Sequence, residues 1–274
     1  MPLRADAVAQ TLIQVRQKRP VVHVITNWVT AGDVASALHA VGARPIMAFA
    51  AEEVDDIVSG ADALVLNLGT PDPPRVKTMS QAGRHANTLG RPVVFDPVGV
   101  GASRFRDEAA ERILSDLHIA IIRGNRAEIG ILAGRGGELR GVDTAIAPPD
   151  LSVAAEILSL RTGAVVAVTG PQDLVVSSEK RILVENGHPM MSQVTGMGCM
   201  VTAMIGAFAA VETDLLTATG GAIAFFGLAG ERAGLRAEGP GTFKMALLDA
   251  IYSLTPAEFQ SGVKLTEQKV KSYD

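Results

Sequence analysis

The sequence has a single cysteine, Cys199, so no disulfide can form within the chain, and a disulfide-stapled secreted scaffold is excluded. It also lacks excess positive charge. Its formal net charge of -4 gives no electrostatic footing for nucleic acid or an anionic membrane surface, and neither is an expected partner. An anionic ligand therefore has to be held locally, by a few basic side chains, backbone N–H groups or a metal ion. Long unbroken apolar runs are missing as well. The two uncharged stretches, 189–211 and 215–230, are interrupted by Gly196 and Gly198 and by Gly220 and Gly221. Each falls short of the roughly 20 apolar residues a membrane span needs. No secretory signal opens the chain. Residues 3–19 place Val8, Leu12 and Val15 at helical spacing, with Arg16, Lys18 and Arg19 at the end. A transit peptide is disfavoured by the lack of serine and by Asp6. These absences together predict a cytoplasmic protein. With no low-complexity linker and no internal repeat, residues 1–274 read as one domain.

What is present is a core-forming composition, 47% hydrophobic and 20% charged. Short apolar runs alternate with helical patterns. Strands are predicted at 20–26, 45–47, 63–68, 92–96, 118–123 and 164–169, and helices at 32–41, 51–59, 72–89, 106–116 and 152–161. Residues 173–177 and 181–185 read as a hairpin turning through Ser178, Glu179 and Lys180. The glycine-rich segment 134–141 reads as a surface excursion. From 198 onward the pattern is helical almost to the end, with a polar, loosely ordered tail after about 262. Continuously apolar strands separated by helices imply an α/β fold whose mainly parallel sheet is covered on both faces.

Residues 193–200 read Q-V-T-G-M-G-C-M and lead into a helix of small and apolar residues. Gly196 and Gly198 let the backbone turn with no side chain in the way of a ligand. A helix starting there aims free N–H groups and the positive end of its dipole at whatever lies ahead, which suits phosphate. The plainer alternative is a buried helix with a glycine-rich entry. In parallel sheets, ligands bind beyond the C-terminal strand ends. The polar residues predicted there are Asn27, Asn67, Asp96, the segment Arg123 to Glu128, and Thr169. Asp96 and Glu128 form a carboxylate pair suited to Mg²⁺ beside bound phosphates. Taken singly, Asp96 before proline also suits a turn, Glu128 a helix first turn, and Arg123 the surface.

The order of motifs resembles that of the hydroxyethylthiazole kinases of the ribokinase-like superfamily. The matching pieces are V-H-V-I-T-N at 22–27, G-A-R-P-I-M-A at 42–48, D-P-V-G-V-G-A at 96–102 and I-R-G-N-R-A-E-I at 122–129. They continue with G-V-D-T at 141–144, V-A-V-T-G at 166–170, N-G-H-P-M-M at 186–191, V-T-G-M-G-C at 194–199 and G-P-G-T-F at 239–243. The resemblance implies a ribokinase-like three-layer sandwich. It implies ATP-dependent phosphorylation of 4-methyl-5-(2-hydroxyethyl)thiazole in thiamin biosynthesis, and a homotrimer with sites between subunits. Arg123, Thr169 and Asn125 would bind ATP. Met47, Gly196 and Asn27 would bind the thiazole, with His188 in a matching motif. Glu128 and Asp96 would hold Mg²⁺, and Gly196, Gly198 and Cys199 would frame the anion hole. The chain departs from the family's asparagine pattern at Gly32 and Ser36.

Phosphoryl transfer has a loose transition state, so the protein mainly positions groups and neutralises charge. Cys199 is then a candidate base or hydroxyl anchor, its thiol pKa expected to be lowered by the helix N-terminus. Three rivals stand beside this reading. One is a kinase of another small alcohol of the hydroxymethylpyrimidine or pyridoxal type. Another is a dehydratase of hydrated nicotinamide nucleotides, which would carry aspartate at 199. The third is a non-catalytic nucleotide binder, expected to have lost Asp96, Glu128 or the glycines.

Overall fold

The computed structural model describes residues 5–141 and 143–270. Among these, the central sheet has nine strands. They are β1 (Val21–Ile25), β2 (Arg44–Ile46), β3 (Ala63–Asn67), β4 (Val93–Asp96), β5 (Ile121–Asn125), β8 (Val165–Thr169), β9 (Asp173–Val176), β10 (Lys180–Val184) and β11 (Leu265–Lys269). A separate antiparallel pair, β6 (Glu138–Arg140) and β7 (Asp143–Ile146), occupies the predicted excursion. The spatial order is β11-β10-β9-β8-β5-β4-β3-β1-β2. From β2 to β8 every pairing is parallel; β9, β10 and β11 extend the sheet antiparallel.

Successive strand side chains point to opposite faces, and both faces are buried. Val65 joins one core, while Leu64 and Leu66 join the other. The first core receives helices α1 (Ala5–Lys18), α2 (Ala31–Val41), α8 (Met197–Ala209), α9 (Leu215–Gly234), α10 (Pro240–Ser253) and α11 (Pro256–Gly262). The second receives α3 (Val54–Ser59), α4 (Pro73–Thr88), α5 (Arg104–Asp116), α6 (Arg126–Leu132) and α7 (Leu151–Thr162). The result is the three-layer α/β sandwich expected from sequence.

Several element readings change. Within the tail after Gly262, Leu265–Lys269 is ordered and pairs with β10 from Lys180 to Val184, while residues 271–274 lie outside the described residues. Its sequence, L-T-E-Q-K, is polar because it forms the exposed edge of the sheet, where charge discourages further pairing. The uninterrupted helical reading from 198 therefore fails at its end. Residues Pro189–Gln193 form a short 3₁₀ turn that belongs to neither flanking element. The helix predicted from residue 51 begins at Val54, after a turn. Among the described residues no helix is long and apolar enough to cross a membrane.

Candidate active site

The strand order lines up the expected residues. Reading across the C-terminal ends from β2 to β8, the chain presents Met47, Asn27, Asn67, Asp96, Arg123 with Asn125, and Thr169. Helix α8 begins above the middle of this row. Gly196 caps it in the left-handed region at φ 93°. A side chain there would press on Thr30, 2.9 Å away.

Cys199, in the first turn of α8, joins the row through its sulfur. Asn27 Nδ2 donates to Sγ at 3.2 Å and Asn67 Nδ2 at 3.4 Å. The two amides are themselves linked, Asn27 Nδ2 donating to Asn67 Oδ1 at 3.1 Å. Asn27 Oδ1 accepts from the backbone and hydroxyl of Thr30, both at 3.0 Å. The thiol is thus fixed by amide donors. Burial, and then the charge of Asp96, push its pKa up, against smaller opposing effects of Thr30, Asn27 and Arg123. The lowered thiol expected from the helix start is not found, because burial outweighs the helix end.

Asp96 is fully buried at the end of β4. Its Oδ2 accepts from Thr202 Oγ1 at 2.7 Å and Asn67 Nδ2 at 2.9 Å, and Arg123 Nη1 stands 3.6 Å away. Its Oδ1 is buried without a partner. Burial raises its pKa, with Arg123 the main opposing influence. Glu128 sits in the first turn of α6. Oε1 accepts from Gly99 N at 2.8 Å and Oε2 from Asn125 N at 2.7 Å. Asn125 Oδ1 accepts from Glu128 N at 2.9 Å and completes a capping box. Burial first, and then Asp96, push Glu128 upward to about 7.

Arg123 connects the nucleotide end to the centre. Its Nη2 donates to Thr169 Oγ1, and its guanidinium lies against α8, so that a side chain on Gly198 would come within 2.5 Å of Nη1. The glycine at 198 is required by this approach.

Through Asn67 the structure brings Asn27, Cys199, Asp96, Arg123 and Thr169 into one continuous set of contacts, and the charge of Asp96 acts on Glu128. Met47 lies half-buried just beyond β2 and packs against the first core, without a hydrogen bond into that set. Asn125 earns its place as the cap of α6. His188 caps the 3₁₀ turn, accepting from Met190 N at 3.2 Å, and its ring stacks on Phe243 at 5.6 Å; it does not reach the central set. Gly32 and Ser36 are exposed on α2, and Ser36 Oγ donates to Gly32 O at 2.8 Å. The departure from the asparagine pattern leaves these contacts intact. Sequence reasoning examined Asn67 but gave it no role, and it missed Thr202 altogether. A strand-end position marked the first; the second is one threonine in an apolar helix and carries no local signal.

Whether the residues suit Mg²⁺ is decided by their donors. The free Oδ1 of Asp96 and the upward push that Asp96 exerts on the buried Glu128 both favour a nearby cation. Among the described residues no group of three or more His, Cys, Asp or Glu side chains gathers as a metal cage. Mg²⁺ needs none, since it takes one or two carboxylates, phosphates and waters. The set fits.

Comparison with known proteins gives the family and the fold. The model of the hydroxyethylthiazole kinase family matches residues 12–257. A hydroxyethylthiazole kinase of Methanocella arvoryzae is 47% identical over 261 residues, which cover 95% of this chain and 98% of that one. The solved structure of a hydroxyethylthiazole kinase protein from Pyrococcus horikoshii OT3 superposes with a TM-score of 0.86 at 37% identity, covering 95% of this chain and 98% of that one. A ribokinase-like superfamily protein from Enterococcus faecalis V583, 14% identical, shares the fold with a TM-score of 0.61 over 86% of this chain and 87% of that one.

Proposed function

The chain belongs to the hydroxyethylthiazole kinase family, and on that premise we propose how its strand-end row performs the reaction. The protein is a phosphotransferase that moves the γ-phosphoryl group of ATP to the hydroxyl of 4-methyl-5-(2-hydroxyethyl)thiazole. ATP lies over β5 and β8, contacting Arg123 and Thr169. The thiazole lies over β1 and β2, by Asn27, Met47 and Gly196. The two meet at Cys199 under the start of α8. The observation that carries this reading is the Arg123 guanidinium, held between Thr169, Asp96 and the side-chain-free turn at Gly198. It sets a fixed positive charge at the seam between the two halves.

The loose transition state asks for alignment and charge compensation more than for a strong base. A thiol pushed upward stays protonated at neutral pH. Cys199 therefore orients the attacking hydroxyl, with Asn27 and Asn67 fixing its sulfur. Backbone N–H groups at 196–199 stabilise charge on the moving oxygens. Asp96 and Glu128 would hold Mg²⁺, which when bound neutralises phosphate charge. The assembly proposed is a homotrimer. Exposed Trp28 and Val29, beside Asn27 and the short edge strand β2, are its interface candidates.

The test is ATP consumption with the thiazole alcohol, a hydroxymethylpyrimidine and pyridoxal in parallel, with and without Mg²⁺. Turnover is expected with the thiazole alcohol and to depend on Mg²⁺. Preference for either of the other alcohols would overturn the substrate assignment.

A further inference from the structure

The segment R-G-N-R at 123–126 carries two arginines, and the reaction as described uses only the first. Arg123 is engaged by Thr169 and Asp96. Arg126 opens α6, and its Nε is buried without a partner. Among the described residues its guanidinium has no hydrogen bond and no ion pair. A buried donor on a cation is costly when unpaired, and arginine cannot escape the cost by losing its proton. Its location is defined by a glycine. A side chain on Gly170, the residue after β8, would stand 2.7 Å from Nε and 3.3 Å from Cζ. The guanidinium therefore rests on bare backbone next to Thr169, whose hydroxyl Arg123 holds. An acid it acts on electrostatically is Asp173, whose Oδ1 already accepts from Gly170 N at 2.9 Å.

We propose that Arg126 is a second nucleotide-binding cation, which with Arg123 grips the polyphosphate of ATP across the Thr169–Gly170 turn. An arginine fork matches phosphate oxygens in pairs. Two arginines flanking one turn suit a chain of phosphates better than a single anion. The inference rests on the kinase reading for its ligand, and its test separates the two.

Binding of ATP, ADP and adenosine is measured by calorimetry for the unaltered protein and for Arg126→Ala, Arg126→Lys and Gly170→Ala, with melting curves for each. Arg126→Ala is expected to weaken ATP and ADP by about 10–100-fold, the worth of charge-assisted hydrogen bonds, and to leave adenosine unchanged. Arg126→Lys should recover part of the loss. Gly170→Ala, which keeps the charge but displaces it, should weaken ATP in the same direction. In turnover, the KM for ATP should rise while kcat and the KM for the alcohol hold. Unchanged ATP affinity in Arg126→Ala overturns the proposal. So does an equal loss for adenosine with a lowered melting point, which marks a structural residue. If the unaltered protein binds ATP but fails to phosphorylate the thiazole alcohol, the kinase reading fails while the binding comparison still decides the role of Arg126.

Discussion

Single side chains at this site carry two kinds of load, and substitution separates them. Cys199 is held by amides and half-buried, and the burial it has raises its pKa, so its thiol should alkylate slowly with iodoacetamide even near pH 9. Cys199→Ala should slow turnover by no more than about 10²-fold, because the anion hole and Arg123 remain. Cys199→Asp should keep or raise turnover, as the same amides that face the sulfur can donate to a carboxylate. A folded, ATP-binding but inactive Cys199→Ala would show the thiol to be obligatory. Glu128 is different. Both its oxygens accept backbone N–H groups, so Glu128→Gln turns an NH₂ toward either Gly99 N or Asn125 N. Stability should drop by about 1–3 kcal/mol, and kcat should fall more steeply than ATP affinity. Normal kcat at saturating Mg²⁺ would remove Glu128 from the metal site. Residue identity was legible where a strand end exposes it, as for Asn27, Asp96 and Thr169. It was not legible for Arg126, whose meaning depends on a glycine 44 positions away in the chain, a contact only the fold creates.

At the scale of elements, buried strands were legible because parallel strands covered on both faces are apolar without a break. The miss at β11 has the same cause reversed: an edge strand must be polar, and polar residues at a chain end read as coil. The helix N-terminus at 196–199 was legible from its glycines, but how closely α8 approaches the sheet was not. That approach depends on Gly206. A side chain there would stand 2.6 Å from Val65 Cγ2 and 3.3 Å from Val22 Cγ1, both core atoms on short, branched chains. Gly206→Ala should therefore destabilise by about 1–3 kcal/mol through overpacking, despite alanine's better helix propensity. The melting point should fall by about 2–4 °C per kcal/mol for a chain of this size. A rise instead would show that α8 can move outward freely. If α8 does shift, Gly198 leaves Arg123, and the KM for ATP should rise with the loss of stability.

At the scale of the molecule, one end of the strand-end row is unfinished. On the proposed ATP side, β9, β10 and β11 continue the sheet beyond β8. The proposed alcohol side ends at β2, three residues long, on the sheet's open edge. Just there, directly after Asn27, Trp28 is 63% exposed and Val29 67%. Trp28 is held in place from below: its ring lies 4.9 Å from that of Phe49, and the buried Arg75 stacks on it at 4.1 Å. Arg75 is pinned in turn, Nη1 donating to Thr26 O at 3.2 Å. A rigid, exposed aromatic beside the substrate end suits a surface that another copy covers, since ordering it costs little further entropy on association. The proposed homotrimer would close the alcohol site in this way. Trp28 is the only tryptophan, so its fluorescence reports on that surface alone. Dilution through the dissociation range should shift its emission to the red as the indole meets water, in step with loss of activity and with falling mass in sedimentation equilibrium. Trp28→Glu should populate monomer at concentrations where the unaltered protein is trimeric, and should lose activity by dissociation, recoverable in part at high protein concentration. An active monomer, or an emission spectrum that ignores dilution while the mass changes, would remove this surface from the interface.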